Sequence, residues 1–357
     1  MPYINIQNFL SDEKPEIYNF EFEFDVTNYD KNMRTFDRYF VYQAWRREDL
    51  EEKILDSNQI NKNEYKCQKD PDGSSGKCEL TLDIYNKLWN WEKGDNPRYG
   101  TIKDFNHASF GGDTMNSVQT TMGYCLKEIR KESKQRLDYE QEIGDDYSIR
   151  ACLQLYCKFH DRFIFDLESY FKGLSKYIDA YHTIGNFILV PQYFNPYRNS
   201  KEKDYWDRSL WLLKKRKNCI EEPWIYKNGK VEENIKWNKE DYKKYINTFF
   251  LWDYVNSEGN PRPISPCNNS LENFLEITTK LIRRRGCFMV AMLQVYQKLG
   301  EERYAKLRDR VFAKSDAIYE SYKTVFNKIR EVLCESEIAE VGNILICAEN
   351  QIFQCIQ

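Results

Sequence analysis

The chain has 357 residues and a net charge of −3, from 53 lysines and arginines against 56 aspartates and glutamates. This near-neutral balance excludes a histone-like protein that binds through positive charge alone. The content of 15% aromatic residues excludes a disordered chain, and 15 glycines with 10 prolines exclude a collagen-like or low-complexity protein.

The first segment with a clear pattern runs from Phe20 to Val26, where apolar and charged residues alternate. This period of two is typical of a half-buried strand. A second short alternation, from Cys78 to Leu82, predicts another strand that could pair with the first. We therefore expect an α+β region over residues 1–105, with a strand or hairpin element.

The pattern becomes helical after the glycine-containing segment SFGGDT. Four apolar residues recur at steps of four, three and four, which predicts a helix with Asp113 or Thr114 as its N-cap. They are Val118, Met122, Cys125 and Ile129. A longer stripe from Ile149 to Ile178 fits one helix, or two joined near Asp161, and ends at YHTIGNF. The glycine at position 173 lies inside this stripe, at a cost of roughly 1 kcal/mol relative to alanine.

Two more helical blocks follow the hairpin signal Asn228-Gly229 and the proline-rich loop NSEGNPRPISPCNNS. Ser270 is predicted to cap a helix that ends in three arginines at 283–285, which we interpret as solvated cations at a helix C-terminus. Gly286 is predicted to interrupt this helical block, which continues to Gly300. Residues 301–333 predict one long amphipathic helix that lies on the core or mediates a homo-oligomer.

The predicted fold is mainly α with a small β part (α+β), with a core like that of a helical bundle. We expect residues 106–357 to form the mainly helical domain that carries the site, either separate from residues 1–105 or continuous with them. The eleven cysteines include no Cys-x-x-Cys pair, and we interpret them as reduced thiols. With no predicted signal peptide or membrane-spanning segment, the chain is expected to be cytoplasmic and to make no membrane contact.

The densest group of polar residues follows the second helical stripe. Its members are His182, Thr183, Asn186, Asn195, Arg198, Asp204 and Asp207. So many polar residues at predicted turns exceed what helix capping requires, which favours a binding or active site.

These residues resemble the signature of an uncharacterised bacterial protein family. The resemblance rests on His182 to Phe187, then Asn195, Arg198 and the DYWD motif at 204–207. Members of that family also tend to carry an upstream Asp-Thr-Met-Asn-Ser, which residues 113–117 match. The resemblance implies no activity. It implies that the GDTMNS and HTIGNF segments, which are distant in the sequence, belong together.

A second resemblance is to the second half of the HNH-type nuclease module of modification-dependent restriction enzymes. There, Gly-Asn-Leu-Thr-Leu and a later Asn follow the catalytic His. Residues 185–189, Gly-Asn-Phe-Ile-Leu, and Asn195 occupy those places here. The first half of the module, Asp-His-Ile-x-Pro with the general base and a metal ligand, has no counterpart. The resemblance therefore does not extend to the catalytic residues.

The chemistry of these side chains predicts a polar pocket with defined roles. His182 would act as general acid and base or as a metal ligand, while Asp113 and Asp207 would hold a divalent metal or orient the substrate.

The remaining polar residues of the two segments would bind the substrate. They are Thr114, Asn116, Asn186, Asn195 and Arg198. Arg198 and the backbone amides at helix starts favour an anion, such as the phosphate of a nucleotide or nucleic acid.

Two main functions therefore remain open, beside a weaker third, a metal-free hydrolase or transferase that uses a cysteine nucleophile. The first is a hydrolase-like or anion-binding protein that acts on a phosphate-containing substrate through this pocket. The alternative is a non-enzymatic helical interaction protein, in which the HTIGNF and GDTMNS turns are structural clasps. A clasp residue supports stability, whereas replacing a pocket residue costs little stability or increases it.

Overall fold

The computed structural model describes residues 79–95, 99–105, 109–133, 152, 155, 162, 165–181, 183–192, 194, 205–215, 239–314 and 316–354. The predicted strand at Phe20 to Val26, Cys78 and the Asn228-Gly229 hairpin lie outside these residues. No helix in this part of the chain is long and apolar enough to cross a membrane.

The fold is mainly α with a small β part, as the sequence predicts. The helices with described bounds are α1 (Glu79–Trp89), α2 (Val118–Ser133), α3 (Leu174–Tyr181), α4 (Trp206–Lys215), α5 (Lys239–Thr248), α6 (Leu271–Val311), α7 (Tyr322–Val332) and α8 (Glu335–Gln354). Residues 165–170 are also helical. The strands are β1 (Trp91–Lys93), β2 (Gly100–Ile102), β3 (Ser109–Thr114) and β4 (Phe187–Pro191).

The four strands form one antiparallel sheet in the order β1-β2-β3-β4. The predicted domain boundary at residue 105 falls between β2 and β3, which are hydrogen-bonded neighbours. The division into two domains stays a prediction. β4 joins the sheet from far along the chain, and all five of its residues are buried.

Helix α6 is the central element of the described core. It contacts α1, α3, α7, α8 and a short 3-10 turn at Ile184–Asn186. Every residue of the segment 285–295 is buried, so this part of the helix has no solvent face. The N-cap prediction is confirmed, since the Ser270 side chain accepts a hydrogen bond from the Asn273 amide.

A close contact between two glycines lets the 3-10 turn lie directly on the α6 backbone. A Cβ at Gly185 would lie 2.0 Å from the Ile282 carbonyl oxygen and 2.8 Å from the Gly286 nitrogen. Gly286 was predicted to interrupt the helix, but α6 is continuous at this residue. The glycine is a contact site for the turn, and the helix departs from helical geometry at Gly300, where φ is 76°.

Several predicted elements near the sheet are wrong. Leu80 and Leu82 lie in α1 and not in a strand, because Ile84, Tyr85 and Leu88 continue the segment at helical spacing and are fully buried. An alternation of three residues is too short to override that pattern.

The α2 stripe is confirmed, since its four apolar residues are buried. Its predicted caps are wrong, because Asp113 and Thr114 belong to β3. Ser117 caps the helix instead, with its side-chain oxygen 3.2 Å from the Thr120 amide.

The stripe that ends at Ile178 breaks at Gly173, where φ is 95°. The Glu168 side chain accepts hydrogen bonds from the amides of Gly173 and Ser175, at 3.0 and 2.6 Å, and so caps the start of α3. The helix then ends at Tyr181, as expected from YHTIGNF.

Residues 301–333 do not form one helix. α6 ends at Val311, α7 begins at Tyr322, and α8, which the sequence analysis did not identify, follows. Apolar side chains of this stripe, such as Leu307, Val325 and Ile329, are buried in the core of the chain itself, which is one of the two placements expected for them. Self-association stays a prediction.

We expect Gly185→Ala to lower the free energy of unfolding by about 3 kcal/mol, because its Cβ would overlap the α6 backbone. Gly342→Ala in α8 is the matched control. Its Cβ would meet only the Ile338 side chain, at 3.8 Å, and alanine is favoured over glycine in a helix by about 1 kcal/mol. Urea denaturation followed by circular dichroism measures both, and a Gly185→Ala protein as stable as the wild type would contradict the contact.

Candidate functional site

The pairing of β3 with β4 brings the GDTMNS and HTIGNF segments together. Asp113 lies opposite Ile188 and Thr114 opposite Phe187 in the sheet. The Met115 amide extends the ladder by donating to the Asn186 carbonyl at 2.8 Å. The predicted association of these two segments is therefore present in the fold.

Asn116 and Asn186 are buried and joined side chain to side chain. The Asn116 Nδ2 donates to the Asn186 Oδ1 at 3.3 Å. The Asn186 Nδ2 donates to the carbonyls of Tyr181 at 2.8 Å and Asn116 at 3.4 Å, which uses both of its N–H groups. The Asn116 Oδ1 accepts from the Trp206 amide at 3.4 Å. We call this network of Asn116, Asn186 and the Trp206 amide the asparagine clasp.

Asp207 follows Trp206 in the first turn of α4 and is 5% exposed. Its Oδ2 accepts from the amides of Ile264 and Ser265, each at 2.9 Å. Its Oδ1 accepts from the Arg208 amide at 2.8 Å. The carboxylate therefore fixes the loop before α6 to the start of α4.

Arg285 holds the opposite side of the HTIGNF turn and is completely buried. Its Nη1 donates to the carbonyls of Gly185 and Phe187, both at 2.8 Å, and its Nε donates to the Phe249 carbonyl at 2.9 Å. Among the described residues, no carboxylate forms an ion pair with it. Burial lowers the pKa of the guanidinium, and three carbonyl dipoles stabilise the charge in place of a counter-ion.

The neighbouring ion pair belongs to the preceding arginine. Arg284 Nη1 lies 2.9 Å from Asp253 Oδ2. Burial raises the pKa of the Asp253 carboxyl, and the charges of Arg284 and Arg262 act in the opposite direction. The prediction that all three arginines are solvated at a helix end is thus wrong, because 283–285 lie inside α6.

The predicted site residues fall into three groups. Asn116, Asn186 and Asp207 are buried and bonded around the clasp. Asp113 and Thr114 are half-buried on β3. The third group, His182, Asn195 and Arg198, lies outside the described residues, as does Asp204.

No group of three or more histidine, cysteine, aspartate or glutamate side chains in the described ranges is arranged to hold a metal ion. Two surface pockets open near the start of α6. The aromatic pocket, of about 430 Å³, includes Tyr124 and Tyr170, and the lysine pocket, of about 560 Å³, includes Lys176 and Lys280. None of the predicted site residues that the structure describes lines either pocket.

No family model matches the chain, and no curated protein or solved structure is similar to it.

Sequence reasoning missed Arg285, although a signal for it exists. Arg285 lies three residues after Ile282 and four before Met289, so it shares their buried face of the helix. A charged residue in the middle of an apolar stripe indicates a buried polar contact. This indication was missed because three consecutive arginines are also typical of a solvated helix C-terminus.

We expect Arg285→Met to lower the free energy of unfolding by about 4 kcal/mol, because three buried carbonyls lose their donor. Arg310→Met is the matched control, since Arg310 lies exposed in the last turn of the same helix and should lose less than about 0.5 kcal/mol. Chemical denaturation of both variants provides the measurement. A loss at Arg285 no larger than at Arg310 would show that the three bonds do not stabilise the fold.

Proposed function

We propose that the protein is a cytoplasmic, non-enzymatic helical interaction protein, in which the GDTMNS and HTIGNF segments form a structural clasp. The observation that carries this proposal is the burial and complete hydrogen bonding of the Asn186 side chain. Its side chain is fully buried, and both of its N–H groups and its carbonyl oxygen are engaged within the protein.

The bonding of Asp207 supports the same proposal. A catalytic or metal-binding carboxylate needs at least one oxygen directed at the reacting group or ion. Both oxygens of Asp207 accept backbone N–H groups instead. A divalent metal held by His182, Asp113 and Asp207 stays a prediction, and so does catalysis by His182.

We expect Asn186→Ala to lower the free energy of unfolding by about 2 kcal/mol, because it leaves the Tyr181 and Asn116 carbonyls without a donor. Asn116→Ala should be similarly costly, and the double variant should lose less than the sum, because the two side chains share a bond. Asn343→Ala, at an exposed position of α8, is the control. An Asn186→Ala protein that equals or exceeds the wild type in stability would favour a pocket over a clasp.

A second candidate function, binding of a phosphate-containing ligand, is favoured by the lysine pocket. Four cationic side chains are among its described lining residues, namely Lys172, Lys176, Lys280 and Arg283. Glu276 bonds Lys280 at 2.8 Å, and Glu272 is the other acidic residue of the described lining. Among these residues positive charge exceeds negative charge, which favours an anion.

Inorganic phosphate and ATP test this candidate by calorimetry at low salt. We expect Lys176→Gln to weaken binding about threefold, and added salt to weaken it further. Lys328→Gln, which removes an exposed lysine paired with Glu331, is the control. Loss of binding or of ATP hydrolysis in His182→Ala alone, with Lys176→Gln unchanged, would instead support the pocket predicted from the sequence.

A further inference from the structure

A third pocket lies between the end of α1 and the second half of α6, and we call it the α1–α6 pocket. Its described lining comes from α1, from β1, from the residues after β2 and from α6. Its volume of about 380 Å³ is within the range of small-molecule sites. None of its described lining residues belongs to the asparagine clasp, the aromatic pocket or the lysine pocket.

Two buried side chains of α6 line this pocket and carry unused hydrogen-bond donors. Tyr304 is 1% exposed and Arg308 is 8% exposed. Neither the Tyr304 hydroxyl nor the Arg308 Nε has a hydrogen-bond partner among the described residues. Burial raises the pKa of the Tyr304 hydroxyl, so it stays protonated and can donate. Because a buried donor without an acceptor is costly, both groups favour a ligand that supplies acceptor oxygens.

Arg308 differs in its bonding from Arg285 of the same helix. Arg285 donates to three backbone carbonyls. Among the described residues, the Arg308 side chain bonds only Asp309, at 3.2 Å, and the Asp309 side chain is 57% exposed. A buried guanidinium that has only an exposed carboxylate for a partner is incompletely neutralised. A second carboxylate would complete its bonding, because the parallel donors of a guanidinium match the two oxygens of a carboxylate.

The rim of the pocket carries charges of both signs. Glu301 and Asp309 are exposed on α6, Glu92 is exposed on β1, and Lys103 is exposed after β2. A ligand with charge of one sign only would meet like charges at this rim. A ligand that carries an ammonium beside a carboxylate would instead find a partner of opposite sign for each group.

The spacing along α6 places a carboxylate near the two unused donors. Glu301 precedes Tyr304 by three residues and Arg308 follows it by four, so the three side chains share one face of the helix. We propose that the α1–α6 pocket binds a free α-amino acid, with its carboxylate at Tyr304 and Arg308 and its ammonium at Glu301.

Tyr296 controls access to this site. It is half-buried, lines the same pocket and packs edge-on against the Tyr304 ring, with the ring centroids 5.4 Å apart. Because the Tyr304 hydroxyl is enclosed, the ligand reaches it when the Tyr296 ring rotates, a motion that is fast for a partly exposed side chain. The inference does not rest on the proposed function, because the pocket and the clasp share no described residue.

The twenty proteinogenic amino acids, each added singly to the full chain, are the probes, and calorimetry measures binding. The N-acetyl derivative and the amide of the amino acid that binds best are the matched ligand controls, because each lacks one of the two charges. We expect each derivative to bind at least about tenfold more weakly. Absence of binding by all twenty, equal binding of either derivative, or tighter binding of inorganic phosphate would overturn the proposal.

Tyr304→Phe removes only a hydroxyl that has no partner among the described residues. We expect it to weaken amino-acid binding about tenfold and to leave the stability unchanged or increased, whereas a structural role of the hydroxyl would lower the stability and spare binding. Glu301→Gln, at an exposed position, should weaken binding about threefold. Glu302→Gln is the control, because Glu302 is exposed, bonds Lys306 and lies outside the pocket. Full affinity in either Tyr304→Phe or Glu301→Gln would overturn the proposal.

Discussion

The fold depends on a buried guanidinium that binds backbone carbonyls from two other segments. Arg285 reaches the turn before β4 and the end of α5 at the same time, through the carbonyls of Gly185, Phe187 and Phe249. Gly185 lies in the 3-10 turn, Phe187 is the first residue of β4, and Phe249 directly follows α5, so all three carbonyls are at or near the ends of regular elements. One charged side chain therefore fixes how the sheet and α5 lie against α6.

The contact needs two opposite properties at adjacent positions of α6. Arg285 supplies a long donor, and Gly286 has no side chain, so the backbone of the turn can approach closely. Gly185 provides the same space from the other side, since any Cβ there would meet the helix backbone. Substitution at Gly185 would push the turn outward and lengthen the bonds from Arg285, whereas a Cβ at Gly286 would lie 3.4 Å from the Gly185 backbone, an ordinary contact distance. We therefore regard Arg285 and Gly185 as one unit.

The sequence predicts the fold class and the strongly periodic helices, because burial of an apolar face determines both. The sequence does not predict the turns and loops, because their backbone conformation is set by hydrogen bonds from polar side chains. Gly173 and Gly300 end or bend helices through positive φ values that an apolar stripe does not reveal. The association of GDTMNS with HTIGNF follows from the resemblance, but the strand character of SFGGDT and FILVP is missed. β3 contains two adjacent glycines and β4 has no alternation, because it is buried on both faces.

The same mechanism applies to those described residues whose types are typical of active sites, since Asn116, Asn186 and Asp207 bind buried backbone. Asn247 repeats the arrangement of Asn186: its Nδ2 donates to the carbonyls of Lys314 and Ala317, and its Oδ1 accepts from the Trp252 indole. These bonds hold the segment between α6 and α7 against Asn247. Amides and carboxylates at turns are conspicuous in a sequence whether they bind a ligand or buried backbone. Only accessibility distinguishes the two roles. By that criterion the asparagines and Arg285 are buried and hold the scaffold, while Tyr170 and Glu272 are exposed at the pockets near the start of α6.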